Sequence, residues 1–364
     1  MAALAQTAAE VWGNPSSIHH DGQAARQQVE QARARVCRLL GCGAKELVFT
    51  SGGTEAINLA ILGTVRADAR PRRHVITSSV EHPAVLQACA QLEREGVEVT
   101  YLGADSRGLV DPDNVRRQLR PHTALITVMH ANNETGVVQP IGEIARIAME
   151  AGIPMHSDGV QAAGKLEVNV AELGVDLYSI SCHKFYAPKG VGALYVRAGV
   201  TVQALQFGGR HERSRRAGTE NVPGVVAMGV ASELRVDRAH LAALRDRLEQ
   251  GILERVPHVR VNGSGAPRVP NTTNLSFEGI EGEAMVIALD LHGFAVSTGA
   301  ACSSGAVEPS HVLLAMGLAR DAAKSSLRFS VGRSNTAAQV DALIDAVAEA
   351  AAHLRRLSPT YAHA

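Results

Sequence analysis

The sequence predicts a large α/β domain built on a mostly parallel sheet, followed by a smaller α+β domain. Three observations carry that expectation. Short apolar runs alternate with helix-like stretches up to Val222. Beyond Val222 the alternation gives way to a helix-rich stretch and then to scattered short strands. The chain also has 364 residues, about twice the length of a typical domain.

Gln23–Leu40 sets Ala25, Val29, Ala32, Val36, Leu39 and Leu40 at helical spacing, and Gly41 is a natural stop. The runs Glu46–Ser51, His74–Val80, Glu98–Leu102, Ala124–Met129, Pro154–Ser157, Leu177–Ser181 and Ala193–Val196 read as strands, with Ala84–Glu95 and Ile141–Ala151 as helices between them. Helices over Val225–Leu234 and Leu241–Val256 lead to strands at Val259–Asn262, Asn274–Phe277 and Leu327–Val331. A last amphipathic helix carries Val340, Leu343, Ile344, Val347, Ala351 and Leu354 on one face. The expected division is 1–240 and 241–364.

Composition narrows the class. The chain is 46% hydrophobic and 20% charged, a globular balance that excludes disorder over most of the length. Lys+Arg 36 against Asp+Glu 36 cancel, so no whole-protein field draws the chain to nucleic acid or an anionic membrane. No apolar run reaches the roughly 18 residues a spanning helix needs. The Ala-rich start, Met1 to Trp12, is not a secretion signal. Five cysteines without a CxxC spacing argue against a disulfide framework or zinc site and suit a reducing, cytoplasmic setting.

Three segments carry chemistry. Thr50-Ser51-Gly52-Gly53-Thr54-Glu55 follows a strand and opens a helix, where free amides suit a phosphate; the same residues also cap helices that bind nothing. Met155-His156-Ser157-Asp158-Gly159-Val160-Gln161 ends a strand with a carboxylate and an amide, and Ser179-Ile180-Ser181-Cys182-His183-Lys184 ends the next with a lysine. Ligands of open α/β sheets gather at such strand ends. An Asp and a Lys on different strands there can bracket a pyridine ring, the lysine as Schiff base and the carboxylate at the ring nitrogen. Singly, each residue reads as a surface Lys or a capping Asp.

With these segments in order, the chain resembles the pyridoxal-phosphate-dependent cysteine desulfurases of the class V aminotransferase-like group, whose fold is aminotransferase-like (fold type I). The resemblance runs from Gly13-Asn14-Pro15-Ser16-Ser17-Ile18-His19 to the final helix. Its landmarks are residues 51–58, Glu81-His82-Pro83, the stretch His130 to Gly136, Asp158 with Gln161, residues 181–184, Arg216 to Asn221, and Ser297 to Gly305 around Cys302. The form of that last segment resembles the branch with an extended, mobile cysteine loop that supplies sulfur for iron–sulfur cluster assembly.

The resemblance implies the following. Lys184 carries pyridoxal 5'-phosphate and moves protons; Asp158 keeps the ring nitrogen charged; His82 stacks on the ring and is a further catalytic candidate for proton transfer. Gly53, Thr54, Ser181 and His183 hold the phosphate, and Asn133 and Gln161 bond the ring oxygen. Asn133 also faces substrate, and Arg333 grips its carboxylate with a planar fork. Thr219 reaches the phosphate of a neighbouring subunit, which implies a homodimer with shared sites. Cys302 lies among small residues that bury little, as a nucleophile that must enter and leave a site should. L-Cysteine becomes L-alanine, and sulfur rests on Cys302 as a persulfide for an acceptor protein. No metal is implied. Arg210, Arg213, Arg215 and Arg216 read as a phosphate-proximal or interface loop rather than an RNA patch, because Glu212 and Glu220 dilute them.

The match departs in places. Relatives carry a short strand and an Asn-Ala-Thr-Thr-like segment before the stretch at Gly13, and here only twelve residues precede Gly13; the expectation is a truncated start or a more open pocket. Cys182 stands where a small residue is usual and reads as inert. Arg210 and Ala187 replace frequent glycines, with no consequence assigned. Rival readings are a selenocysteine lyase, which would not depend on a loop cysteine, and a catalytically impaired scaffold partner.

Overall fold

The computed structural model describes residues 1–298, 308–357 and 361. The helices are α1 (Ala2–Glu10), α2 (His20–Leu40), α3 (Gly53–Ala67), α4 (Pro83–Arg94), α5 (Pro112–Gln118), α6 (Ile141–Glu150), α7 (Val170–Leu173), α8 (Val222–Ser232), α9 (Arg238–Arg255), α10 (Gly282–Leu291), α11 (His311–Ala315), α12 (Arg320–Lys324) and α13 (Ala337–Leu357). The strands are β1 (Leu47–Thr50), β2 (His74–Ser78), β3 (Glu98–Leu102), β4 (Thr123–Thr127), β5 (Met155–Asp158), β6 (Leu177–Ser181), β7 (Gly192–Val196), β8 (Val259–Val261), β9 (Thr272–Phe277) and β10 (Ser326–Ser330).

The chain forms two compact units. The first holds Met1–Leu102, Asp111–His130 and Pro140–Arg235; the second holds Gly103–Val110, Ala131–Gln139 and Val236–Ala364. Two short segments from inside the first 240 residues thus cluster with the C-terminal part.

In the first unit seven strands run in the order β1-β7-β6-β5-β4-β2-β3. All share one direction except β7, which is antiparallel to both β1 and β6. The central strands β4, β5 and β6 are buried at every residue because helices cover the sheet, even where β5 carries His156, Ser157 and Asp158. One core packs Val48, Ile57, Ile61, Val65, Val85, Leu92, Leu125 and Leu194 together. Because β1, β2, β4, β5 and β6 are codirectional, their carboxyl ends, and the turns that follow them, lie along one edge of the sheet.

Local signals start the flanking helices. His19 Nδ1 accepts from the Gly22 amide at 3.3 Å at the start of α2, and His82 Nδ1 accepts from the Ala84 amide at 3.1 Å at the start of α4, where Pro83 supplies a first-turn φ. α1 forms from the Ala-rich start, where alanine favours helix without needing a strong apolar face.

The second unit carries a three-stranded antiparallel sheet, β10-β9-β8. Leu241, Leu248 and Ile252 of α9 meet Phe277, Leu327, Phe329, Ile344 and Val347 in its core. Among the described residues no helix is long and apolar enough to cross a membrane.

Candidate active site

The first unit brings most of the expected site residues to the carboxyl edge of the sheet. β5 ends on Asp158, whose side chain is wholly enclosed and whose Oδ1 accepts from the Val160 amide at 2.9 Å. The neighbouring strand β6 ends on Ser181, and a 3-10 turn over Cys182–Phe185 places half-buried Lys184 near enough for its ammonium to act on Asp158. Burial pushes the Asp158 carboxyl up to about 6, against the pull of the Val160 amide and of Lys184. A cation set against this carboxylate would draw it back down, so the residue is poised to hold a charged ring nitrogen.

The turn from β1 into α3 approaches the same edge. A Cβ at Gly53 would lie 2.9 Å from Val160 Cγ2 and 3.2 Å from Ser181 Cβ, so the helix start fits against β5 and β6 only because residue 53 has no side chain. Ser181 Oγ and His183 Nδ1 share a hydrogen bond of 2.9 Å. Burial, then the charges of Lys184, Lys189 and Lys165, lower the His183 pKa. Amides at the start of a fifteen-residue helix, a serine hydroxyl, an imidazole and three nearby ammonium groups make a donor set suited to a phosphate dianion. Thr54 is exposed in the first turn of α3, and Gln161 accepts from Lys165 Nζ. His82, half-buried, caps α4 at the end of the turn that follows β2.

Behind Asp158 stand groups to which sequence reasoning gave no role. Glu81, next to His82, is completely buried; its Oε1 accepts from Ser78 Oγ at 2.6 Å and from the Met129 amide at 2.9 Å. Burial, with a further push from the Asp158 charge, lifts its carboxyl to about 8. Tyr178 Oη and His130 Nδ1 are 2.7 Å apart, and the His130 amide donates to the Asp158 carbonyl at 2.9 Å. The Tyr178 ring lies so close that a Cβ at Gly159 would sit 2.0 Å from it. Burial lowers His130 to about 4 and His156 to about 3, so both imidazoles are neutral near pH 7. Glu81 and His130 lie within the landmarks at 81–83 and 130–136, so their positions were visible although their burial was not.

The Glu81 shift has a measurable sign. The native chain keeps a proton on Glu81 from the ordinary 4.5 up to about 8, where the unfolded chain has released it. Stability therefore falls as pH rises through that window. Asp158 acts in the same direction only up to about 6. Glu81→Gln keeps the shape without the titration, so the urea midpoint of the variant is expected to lose less between pH 6 and 8 than that of the unmodified chain. Parallel midpoint curves would contradict the buried acid.

Thr219 is exposed and lines a cavity of 230 Å³ with Thr50, Ser51, Gly190 and Arg216. Arg216 Nε donates to Glu55 Oε1 at 2.9 Å, tying this loop to the first turn of α3. Upstream, Glu212, Arg213 and Ser214 all have left-handed φ, between 42° and 63°, which costs energy at residues other than glycine. A buried pair holds them. Arg33 grips both Glu212 oxygens at 3.0 and 2.7 Å, and the Phe49 amide donates to Glu212 at 2.8 Å. Breaking such a pair on one side typically costs about 3–5 kcal/mol. No local pattern announces a partnership across 179 residues.

Asn133 and Arg333 belong to the second unit. Arg328 donates to the Asn133 carbonyl at 2.7 Å, while Asn133 Oδ1 is buried without a hydrogen-bond partner, an acceptor awaiting a donor. Arg333 follows β10 and is exposed. Cys302 lies outside the described residues. Cys182 is buried, its Sγ donates to the Pro188 carbonyl at 2.8 Å, and burial pushes its thiol up to about 12, which makes it inert at neutral pH. Among the described residues no group of three or more His, Cys, Asp or Glu is placed to hold a metal ion.

A buried carboxylate at one strand end, a lysine just past the next and a glycine-opened helix start beside them define an α/β chain of aminotransferase-like arrangement. The aminotransferase class-V profile matches residues 1–343. The cysteine desulfurase IscS of Dictyoglomus turgidum is 47% identical over 355 residues, which cover 96% of this chain and 90% of the relative. A cysteine desulfurase of a Nostoc species is 49% identical over 355 residues, 96% of this chain and 88% of the relative. Among solved structures, a NifS-like protein matches with a TM-score of 0.90 at 34% identity, covering 97% of this chain and 95% of its own. SspA in complex with cysteine matches at 0.83 and 35% identity, covering 92% and 95%. The chain belongs to the aminotransferase class-V family, in its cysteine desulfurase branch.

Proposed function

We propose that this chain is a cytoplasmic, homodimeric cysteine desulfurase that uses pyridoxal 5'-phosphate to convert L-cysteine to L-alanine. The observation that carries the reading is the placement of Asp158 and Lys184 on adjacent strand ends, with the Gly53 helix start pressed against both strands. The close-packed cradle at Gly53 and the enclosed carboxylate of Asp158 suit the cofactor's phosphate and ring nitrogen in turn. When bound, the cofactor supplies an electron sink that makes the substrate α-carbon acidic.

The chain's own residues do the rest. Gly53 and Thr54 amides, Ser181 and His183 bind the phosphate, and Thr219 reaches the phosphate held by a partner subunit. Asp158 would keep a proton on the ring nitrogen, and His82 would stack on the ring and assist proton transfer. Asn133 and Gln161 orient the ring oxygen. Lys184 Nζ anchors the cofactor and, once displaced by substrate, carries protons to and from carbon. Arg333 holds the substrate carboxylate in a bidentate grip. The Cys302 thiolate takes the substrate sulfur as a persulfide, leaving alanine, and passes it to an acceptor protein such as an iron–sulfur scaffold.

The purified chain incubated with pyridoxal phosphate and L-cysteine is expected to release alanine and, with a thiol reductant present, an equal amount of sulfide. Alanine and sulfide at the level of free cofactor alone would overturn the reading.

A further inference from the structure

We propose that Cys37 and Cys42 form a reversible dithiol–disulfide pair at the C-terminal end of α2, a modification site outside the residues assigned above. α2 ends at Gly41, which is left-handed (φ 69°, ψ 40°) and turns the chain back on itself. The amides of Gly41 and Cys42 both donate to the Cys37 carbonyl, the latter at 3.1 Å. In such a helix end the residue after the glycine and the residue five before it face each other, and their side chains meet. Here those two positions are both cysteines and both free, and each thiol shifts the titration of the other. Two side chains that a helix end of this form turns toward each other need little backbone movement to join.

The two positions differ in access and charge. Cys37 is 5% exposed, whereas Cys42 is half-buried, so a small reagent reaches the pair from the Cys42 side. The Cys42 thiol, and then the Arg33 and Arg213 guanidinium groups, lower the Cys37 pKa against burial and Glu46. Cys42 is raised by Cys37 and by burial. Cys37 is therefore the nucleophile and Cys42 the resolving thiol. Cys89 and Cys182, by contrast, are each pushed up to about 12 by burial.

With hydrogen peroxide as oxidant the chemistry balances. The Cys37 thiolate attacks one peroxide oxygen, the O–O bond breaks, and the departing hydroxide takes a proton to become water, leaving a sulfenic acid on Cys37. The Cys42 sulfur then attacks the Cys37 sulfur, the S–O bond breaks, and the hydroxyl leaves with the Cys42 proton as a second water. Two thiols are oxidised to one disulfide, and a dithiol reductant reverses the step by exchange.

The test uses the full-length, cofactor-loaded protein. After peroxide, remaining thiols are alkylated and the chain is cut with trypsin, which cleaves after Arg38 between the two cysteines. Val36–Arg38 and Leu39–Lys45 are expected as one linked species, lighter by two hydrogens than the separate peptides, that separates with dithiothreitol. In Cys42→Ser the link is expected to vanish and Cys37 to be trapped by dimedone as the sulfenic acid. Separate, fully alkylated peptides at a peroxide level that oxidises Cys302 would overturn the proposal. Irreversible Cys37 sulfinic acid in the unmodified chain, or linkage of either residue to another cysteine, would do the same.

Discussion

Lys184→Ala is expected to leave a folded chain that binds pyridoxal phosphate only reversibly and whose alanine release from L-cysteine falls by about 10³-fold or more. Lys184 sits in a short turn after β6, so its side chain stabilises no helix and fills no core position, and the fold should survive. Two losses combine in this variant. The chain loses its covalent anchor for the cofactor, and the α-carbon loses its proton carrier. Borohydride treatment separates them from misfolding: the unmodified chain should keep the cofactor through denaturation after reduction, and the variant should not. Asp158 supplies a second readout. The Lys184 ammonium pulls its pKa downward, so removing that charge should move the Asp158 carboxyl further above its present value of about 6 in the cofactor-free protein. A reduced variant that still carries covalent cofactor would reject the assignment of Lys184.

Cys302→Ser is expected to keep cofactor binding intact while alanine release drops by about 10³-fold or more and no persulfide forms at residue 302. The reasoning is chemical. A thiol is a few per cent thiolate near pH 7, whereas a serine hydroxyl is essentially never ionised, and oxygen cannot store a sulfur atom as a stable persulfide. The exchange replaces one atom, sulfur by oxygen, in a stretch from Thr298 to Ala306 made almost entirely of small residues. Alkylation and mass mapping of the tryptic peptide after exposure to L-cysteine reads the persulfide directly. Turnover equal to that of the unmodified chain would show that another group accepts the sulfur.

Much of the fold was legible because its strands are short runs bounded by turns. Glu98–Leu102 and Leu177–Ser181 have the bounds that their apolar runs suggest. The reversed direction of β7 was not legible from Ala193–Val196, since an apolar run looks the same in either direction. A signal was nonetheless present: too little chain separates Ser181 from Gly192 for a helical crossover, and a short connection favours antiparallel pairing. The places of Asp158 and Ser181 at strand ends, with Lys184 in the turn that follows, were legible because polar residues there interrupt apolar runs. The acidity of Glu81 was not, because it arises from burial by residues distant in the chain. The Arg33–Glu212 pair was hidden for the same reason, and Glu212 looked instead like a diluent of basic charge.

The way the chain is threaded through its two units has a consequence for anyone wishing to rebuild it. The backbone crosses from one unit to the other five times, after residues 102, 110, 130, 139 and 235. A cassette swap at residue 235 would transplant the C-terminal part but strand Gly103–Val110 and Ala131–Gln139 in the wrong parent. Chimaeras with a homologue should therefore succeed only when all five seams are exchanged together, and drift in either short segment must be matched by drift far downstream.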